Sequence, residues 1–149
     1  MGLFRTFNKR RRSLSGNDDE NTRKKRIDLA NDNKADYFIS IHADGVAGYK
    51  ASGSHVIYPN VGNDEVIRLS KELAVDIFSS YDIVEVEKNS PKQDIRGLQV
   101  LGKSNKTKRK VLIELGFVTS PKDAKLLFTK IDEISVQIRD GLLKNLKKF

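Results

Sequence analysis

Two residues in this chain have the type and setting to do chemistry. Glu114 interrupts the apolar run Val111-Leu112-Ile113-Glu114-Leu115-Gly116-Phe117-Val118. An ionised carboxylate within a buried strand is costly unless it is paired or coordinates a metal. Otherwise its pKa rises, which is what a general base or acid can use. A glutamate facing solvent on an edge strand fits the same pattern equally well. His42 directly follows the short apolar run Tyr37-Phe38-Ile39-Ser40-Ile41. Alone, a histidine at a strand end is more often a structural or surface residue than a ligand.

The two positions are more informative together. In open α/β sheets, ligand sites sit outside the carboxyl ends of the strands. His42 lies at such an end, and Glu114 lies in the C-terminal half of its strand, just before a turn-prone Gly116. An imidazole and a carboxylate converging there are the parts of a metal-assisted hydrolase. A zinc site of that kind needs three protein ligands and a water. His55 is the other histidine of the chain. It falls inside a predicted strand and reads as a structural or face residue.

The elements that must position these residues alternate between strand and helix patterns. Ile27 to Asn33 reads as the end of a helix. Tyr37–Ile41 reads as a buried strand, and Ala51-Ser52-Gly53-Ser54 as a turn. His55–Tyr58 reads as a second strand, stopped by Pro59-Asn60. Asn63 can cap a helix whose apolar face is Val66, Leu69, Leu73 and Ile77. Ile83–Glu87 alternates like an exposed strand, and Leu98–Leu101 is a further short strand candidate. Val111–Val118 is the strongest strand pattern. Ser120-Pro121-Lys122-Asp123 is a helix start, with the acid placed to complete a capping box. A last helix carries Ile131, Ile134, Ile138 and Leu142 on one face. Lys144, Lys147 and Lys148 complement its C-terminal dipole. The expected class is α/β: a layered open sheet, largely parallel, flanked by helices.

A length of 149 residues suits one domain with its own core. No apolar run approaches the roughly 20 residues of a membrane-spanning helix, so no membrane partner is expected. The absence of cysteine excludes a disulfide scaffold, thiolate zinc sites and a cysteine nucleophile. The net charge of +8 is uneven, because residues 1–26 hold nine Lys/Arg against three Asp/Glu. Residues 1–26 read as a basic, partly disordered segment, and 27–149 as the folded domain. No apolar stretch follows these charges to make a secretory signal. No aromatic residues interleave with the basic ones, so a stacking platform for nucleic acid is unsupported and no specific nucleic-acid partner is expected.

Five segments, in order, resemble the zinc-dependent N-acetylmuramoyl-L-alanine amidases, a family of bacterial and phage cell-wall hydrolases. Arg26-Ile27-Asp28-Leu29-Ala30-Asn31 is similar to the end of a family helix. Ser40-Ile41-His42-Ala43-Asp44 resembles its Ser-(Ile/Leu)-His-Ala-Asn signature, with Asp44 in the usual Asn place. Ser52-Gly53-Ser54-His55-Val56-Ile57-Tyr58 resembles its Gly-x-x-x-x-Tyr strand. Arg96-Gly97-Leu98 with Val100-Leu101 resembles the segment before its last strand. Glu114-Leu115-Gly116-Phe117-Val118-Thr119-Ser120 resembles its Glu-x-Gly-Phe signature, and Asp123 and Leu126 follow as in the family. The resemblance implies that His42 is a Zn2+ ligand and Glu114 the catalytic glutamate. The reaction implied is hydrolysis of the amide joining N-acetylmuramic acid to L-alanine of the stem peptide. Peptidoglycan is then the partner, and the cell wall or extracellular space the location. Without a signal peptide in this chain, cytoplasmic residence until release is the other placement.

The departures are specific. The family opens with a strand, a Gly-His-Gly-Gly loop carrying the first zinc ligand, and a glutamate ligand near the first helix. None of these is present, so two of three family ligands are missing, with a strand and a helix. Met1 to Phe7 reads as a remnant of the second strand. An unpaired sheet edge or exposed apolar surface is expected, and with it self-association. A fragment is the favoured explanation; a degenerate remnant, or a second chain supplying the ligands, are the others. The alternative functions are a non-catalytic peptidoglycan-binding remnant and, more remotely, a basic nucleic-acid-binding protein resting on residues 1–26.

Overall fold

The computed structural model describes residues 20–48 and 51–149. The helix end expected before Asn33 belongs to α1, Glu20–Asp32, which continues N-terminally into the basic segment. The strand remnant at Met1–Phe7 and the basic cluster at residues 9–12 lie outside the described residues. β1 is Tyr37–Asp44, β2 His55–Tyr58, α2 Asp64–Phe78, β3 Lys92–Gln93, β4 Arg109–Phe117, α3 Pro121–Thr129 and α4 Ile131–Leu146. The four strands form one sheet in the order β1-β4-β2-β3. Among the described residues, β1 is therefore an outer edge, and Ile41 on it is 52% exposed.

The sheet is largely parallel, as expected: β1 with β4, and β2 with β3. β2 runs antiparallel to β4. Among its described residues the link from β1 to β2 contains no crossover helix, and a parallel return needs a connection of a dozen residues or more. The chain from β2 to β3 does contain a helix, α2, and there the strands are parallel.

One face of the sheet is closed by α2 and α4. Val56, Val111 and Ile113 pack there against Leu73, Ala74 and Ile77, with Ile39, Ile138 and Leu142 at the margin. Asn63 caps α2 as expected, its Oδ1 accepting from Val66 N–H at 2.9 Å. Of the apolar face expected on α4, Ile134 is buried and Ile138 and Leu142 reach the core. Ile131 is instead 59% exposed, because it starts the helix beyond the reach of the sheet. A polar network is buried beneath α4. Asn145 Nδ2 donates to Asp76, and Tyr37 Oη donates to Asn145 Oδ1 at 3.0 Å, so no group there is left unsatisfied.

Two strand expectations are corrected. Leu98–Leu101 is not a strand: Gln99–Leu101 forms one turn of 3-10 helix. The Asp94 carboxylate takes Leu98 N–H at 2.8 Å, which starts the turn. Asn105 Nδ2 donates to Val100 O, and the buried Lys110 ammonium donates to Gly102 O and Asn105 O, which holds it. Ile83–Glu87 is also not a strand. Only Val86 bridges to Ser54, and the segment is an irregular arm along β2. The 3-10 turn packs Val100 and Leu101 onto Ile57, Leu112 and Phe38 on the sheet's second face.

α2 and α4 meet at Gly141. A Cβ there would lie 2.4 Å from Ile77 Cα and 2.7 Å from Ile77 O, both backbone atoms that cannot move aside cheaply. Gly141→Ala gains about 1 kcal/mol of helix propensity. The overpacking cost exceeds that gain. The expected net loss is about 2 kcal/mol or more, seen as a Tm lower by several degrees. An unchanged or higher Tm would contradict the close approach.

Candidate active site

β4 is an interior strand, so the edge-strand reading of Glu114 does not hold. Glu114 faces the sheet's second side and is 7% exposed. Its register partner on β1 is His42, and its register partner on β2 is His55. Register partners point to the same side of a sheet and lie one strand spacing apart. The three residues therefore form a row, imidazole–carboxylate–imidazole, across adjacent strands. His42 and Glu114 are brought together as the sequence suggested. His55, read from the sequence as a face residue, belongs to the same row. Only the pairing of β2 with β4 reveals this, and no periodicity within either strand carries that register.

Each imidazole is held by a local partner. His42 Nε2 lies 2.7 Å from the Ser40 hydroxyl, on the same face of β1. His55 Nδ1 lies 2.8 Å from Glu87 Oε1, and the other Glu87 oxygen accepts from Lys92 Nζ at 2.5 Å. Burial opposes ionisation of Glu87, but Lys92 and His55 outweigh it and hold its pKa below the usual value. Burial, reinforced by the Lys92 charge, pushes the His55 pKa down despite Glu87. A neutral His55 beside an ionised Glu87 donates through Nδ1, and its Nε2 carries the lone pair.

Glu114 has no such partner. Its Oε2 is buried without a hydrogen bond among the described residues. Burial, with repulsion from Asp44, raises its pKa to about 7 against the opposing pull of Arg96. Asp44 comes close because β4 carries a bulge. His42 pairs with Glu114 but Asp44 pairs with Phe117, so β4 spends one extra residue there. Gly116 absorbs it at φ +156°, where a Cβ would press Val84 at 3.3 Å.

Asp123 fixes the strand end. It was expected to complete a capping box. Ser120 does cap α3, accepting from Asp123 N–H at 3.3 Å. The Asp123 carboxylate turns the other way, accepting from Ser52 Oγ at 2.6 Å, Gly53 N–H at 2.8 Å and Phe117 N–H at 3.1 Å. Burial disfavours its charge, but these donors outweigh burial and keep its pKa below the ordinary value. One buried carboxylate thus ties β4, α3 and the lead into β2 together, beside the row.

A groove of about 770 Å³ opens beside His55. That volume lies within the range of ligand sites. Asp44, Phe117, Lys92, Asp94 and Arg96 are among the residues that line it.

A catalytic zinc does not fit the residues described. Three protein ligands are required. Among the described residues no group of three or more histidine and acidic side chains is placed to hold a metal. His42 is the one residue the resemblance assigns to it.

The pattern of the N-acetylmuramoyl-L-alanine amidase family matches residues 8–144, and the chain belongs to that family. Solved structures agree. The CwlD amidase of Clostridioides difficile, in complex with the GerS lipoprotein, is 30% identical with a TM-score of 0.63; the match covers 87% of this chain and 62% of that one. An N-acetylmuramoyl-L-alanine amidase of Clostridium difficile 630 is 26% identical with a TM-score of 0.63, covering 85% and 63%. The apo form of Ami1 from Mycobacterium abscessus shares the fold at 21% identity with a TM-score of 0.67, covering 83% and 61%. This chain thus spans somewhat over three fifths of each of these three structures. Comparison with curated proteins gives no match.

The raised Glu114 pKa has a stability consequence. Its folded value of about 7 lies above the ordinary 4.5, so the fold prefers the protonated form. That contribution is complete below pH 4.5 and lost as pH rises through 7. Glu114→Gln removes the loss. It is expected to be about as stable as wild type near pH 4.5 and more stable by up to about 3 kcal/mol above pH 8. Thermal melts of both proteins across that range test this. A difference independent of pH would contradict it.

Proposed function

We propose that this chain is part of a peptidoglycan hydrolase that cleaves the amide between N-acetylmuramic acid and L-alanine of the stem peptide, with Glu114 moving the protons. The observation that carries this reading is the row His42–Glu114–His55 in a member of the amidase family. Hydrolysis forms a C–O bond from water to the amide carbonyl carbon and breaks the C–N bond. A base must take a proton from the water, and an acid must return one to the departing nitrogen. A single carboxyl group can do both in turn. Glu114 suits this because its Oε2 has no internal partner to give up. The Nε2 of His55 offers a second acceptor at the same site, held in orientation by Glu87. A zinc ion held by His42 would need further ligands from outside the described residues.

A second reading has its own observation. Among the described residues no three donors are placed together to hold a metal, and this is the observation behind a wall-binding protein that does not hydrolyse. One experiment separates the two. Purified peptidoglycan is incubated with the chain, with and without added zinc. Released amino termini and co-sedimented protein are then measured. The hydrolase reading expects release that falls at least about 100-fold in Glu114→Gln and is also lost in His42→Ala, while sedimentation persists. Sedimentation without release supports the binding reading. Release that survives Glu114→Gln overturns the role given to Glu114.

A further inference from the structure

A second cleft, of about 290 Å³, lies at the other end of the sheet, where β1 and β4 begin. Asn31 and Lys34 line it from the end of α1, Asp36 from the lead into β1, and Lys106, Thr107 and Lys108 from the lead into β4. Tyr37 pairs with Arg109 at the start of these parallel strands, and His42 pairs with Glu114 five residues on. At about 3.3 Å per residue, the cleft is roughly 15 Å or more from the row around Glu114. Its walls are fixed. The Asn31 side chain ties α1 to the loop, donating to Ser104 O at 2.8 Å and accepting from Lys106 N–H at 2.9 Å. Thr107 N–H donates to Asn105 Oδ1 at 3.0 Å, and buried Asn105 is itself held by Val100 and Lys110. Three carbonyls near the end of α1 are also taken: Leu29 O by Asn33, Ala30 O by Ala35 and Asn31 O by Lys34.

Within these walls the side-chain donors lack acceptors. Three lysines and one acid, Asp36, are among the lining residues, an excess of two positive charges. Lys34 and Lys106 are exposed, and neither ammonium has a hydrogen bond or ion pair among the described residues. Lys108 has an exposed partner, Glu65, at 3.5 Å. Such a pair contributes little in water. Thr107 is 4% exposed, and its Oγ1 is buried without a hydrogen bond among the described residues. A buried hydroxyl left so is costly, and a bound anion would accept from it. Lys34 has φ +49°, a left-handed conformation just past a helix end, where glycine fits best. Lysine at that position brings a charge to the cleft in place of the residue the backbone favours.

We infer that this cleft binds a dianionic phosphate group, free or as a small monoester, with Lys34, Lys106 and Lys108 neutralising it and the Thr107 hydroxyl donating to one of its oxygens. Phosphate presents more acceptor oxygens than a carboxylate, and lysines meet it as point charges rather than as a planar fork. The volume suits a small ligand, since it falls just below the roughly 300 Å³ at which ligand sites begin. Neither Glu114 nor the amidase reaction has a part in this binding.

The whole chain is titrated near pH 8, in phosphate-free buffer, with inorganic phosphate, glycerol 3-phosphate and dimethyl phosphate. Binding is followed by NMR through backbone amides and histidine rings. The first two ligands are largely dianions at that pH, and the third carries a single charge. Phosphate is expected to shift the amides of Lys34, Lys106 and Thr107 and to leave the His42 and His55 rings unmoved. Dimethyl phosphate should bind about tenfold more weakly. Glycerol 3-phosphate binding more tightly than phosphate assigns the cleft to a monoester, and binding no more tightly assigns it to the free ion. Lys34→Gly is expected to weaken phosphate binding about tenfold without lowering Tm, because the left-handed backbone suits glycine. Lys106→Gln should weaken it similarly. Thr107→Val should weaken it severalfold with Tm unchanged or higher, whereas loss of a structural hydroxyl would lower Tm. The inference is overturned by no phosphate binding at millimolar concentration, or by dimethyl phosphate binding equally well. Shifts spread over the basic residues without focus on the cleft would overturn it too, as would full affinity in Lys34→Gly and Lys106→Gln, or a lower Tm with full affinity in Thr107→Val.

Discussion

The constraint on which this structure turns is a carboxylate buried in the middle of a sheet. Glu114 sits on an interior strand with a neighbour on each side, and both neighbours are histidines. An apolar residue there would cost nothing. The fold instead carries a group whose charge is disfavoured by burial and by Asp44. Around it, several other buried polar groups among the described residues are satisfied. Asp123 is satisfied by Ser52, Gly53 and Phe117, Asn145 by Asp76 and Tyr37, and Lys110 by two carbonyls. The contrast separates carboxylates and amides that hold the fold from a carboxylate with an oxygen left unused.

The surroundings are arranged by parts of the chain far apart in sequence. The bulge at Gly116 brings Asp44 beside the row. The arm 83–87 returns along β2 so that Glu87 reaches His55. The 3-10 turn at 99–101 covers the second face up to Leu112. The helices α2 and α4 close the opposite face through apolar contacts and the close approach at Gly141. This division gives the sheet a packed side and an accessible side. On that accessible side, the edge position of β1 places His42 at the boundary of the described sheet.

Much of this was legible in the sequence, and for physical reasons. Helices α2 and α3 announce themselves through local chemistry: Asn63 and Ser120 are caps whose partners lie three residues away. The apolar run of β4 and the signatures at Ser40–Asp44 and Glu114–Ser120 pointed to the candidate site. What could not be read was long-range. His55 looked like a face residue because its meaning lies in a register with Glu114 nearly sixty positions later. Leu98–Leu101 looked like a strand because its apolar residues do not show that Asp94 and Asn105 would bind the backbone into a turn. Ile83–Glu87 alternates like a strand, yet of these residues Val86 alone bridges a neighbour, Ser54, among the described residues. Asp123 was read as a local cap, whereas its carboxylate serves a segment seventy residues earlier.

The most direct test of this account is the titration of the Glu114 carboxyl carbon by NMR in the intact chain. A carboxylate buried between two imidazoles, with an oxygen unpaired, is predicted to titrate with a midpoint near 7. A midpoint near 4.5 would mean that Glu114 is solvated or already paired, and would contradict the central position given to it here.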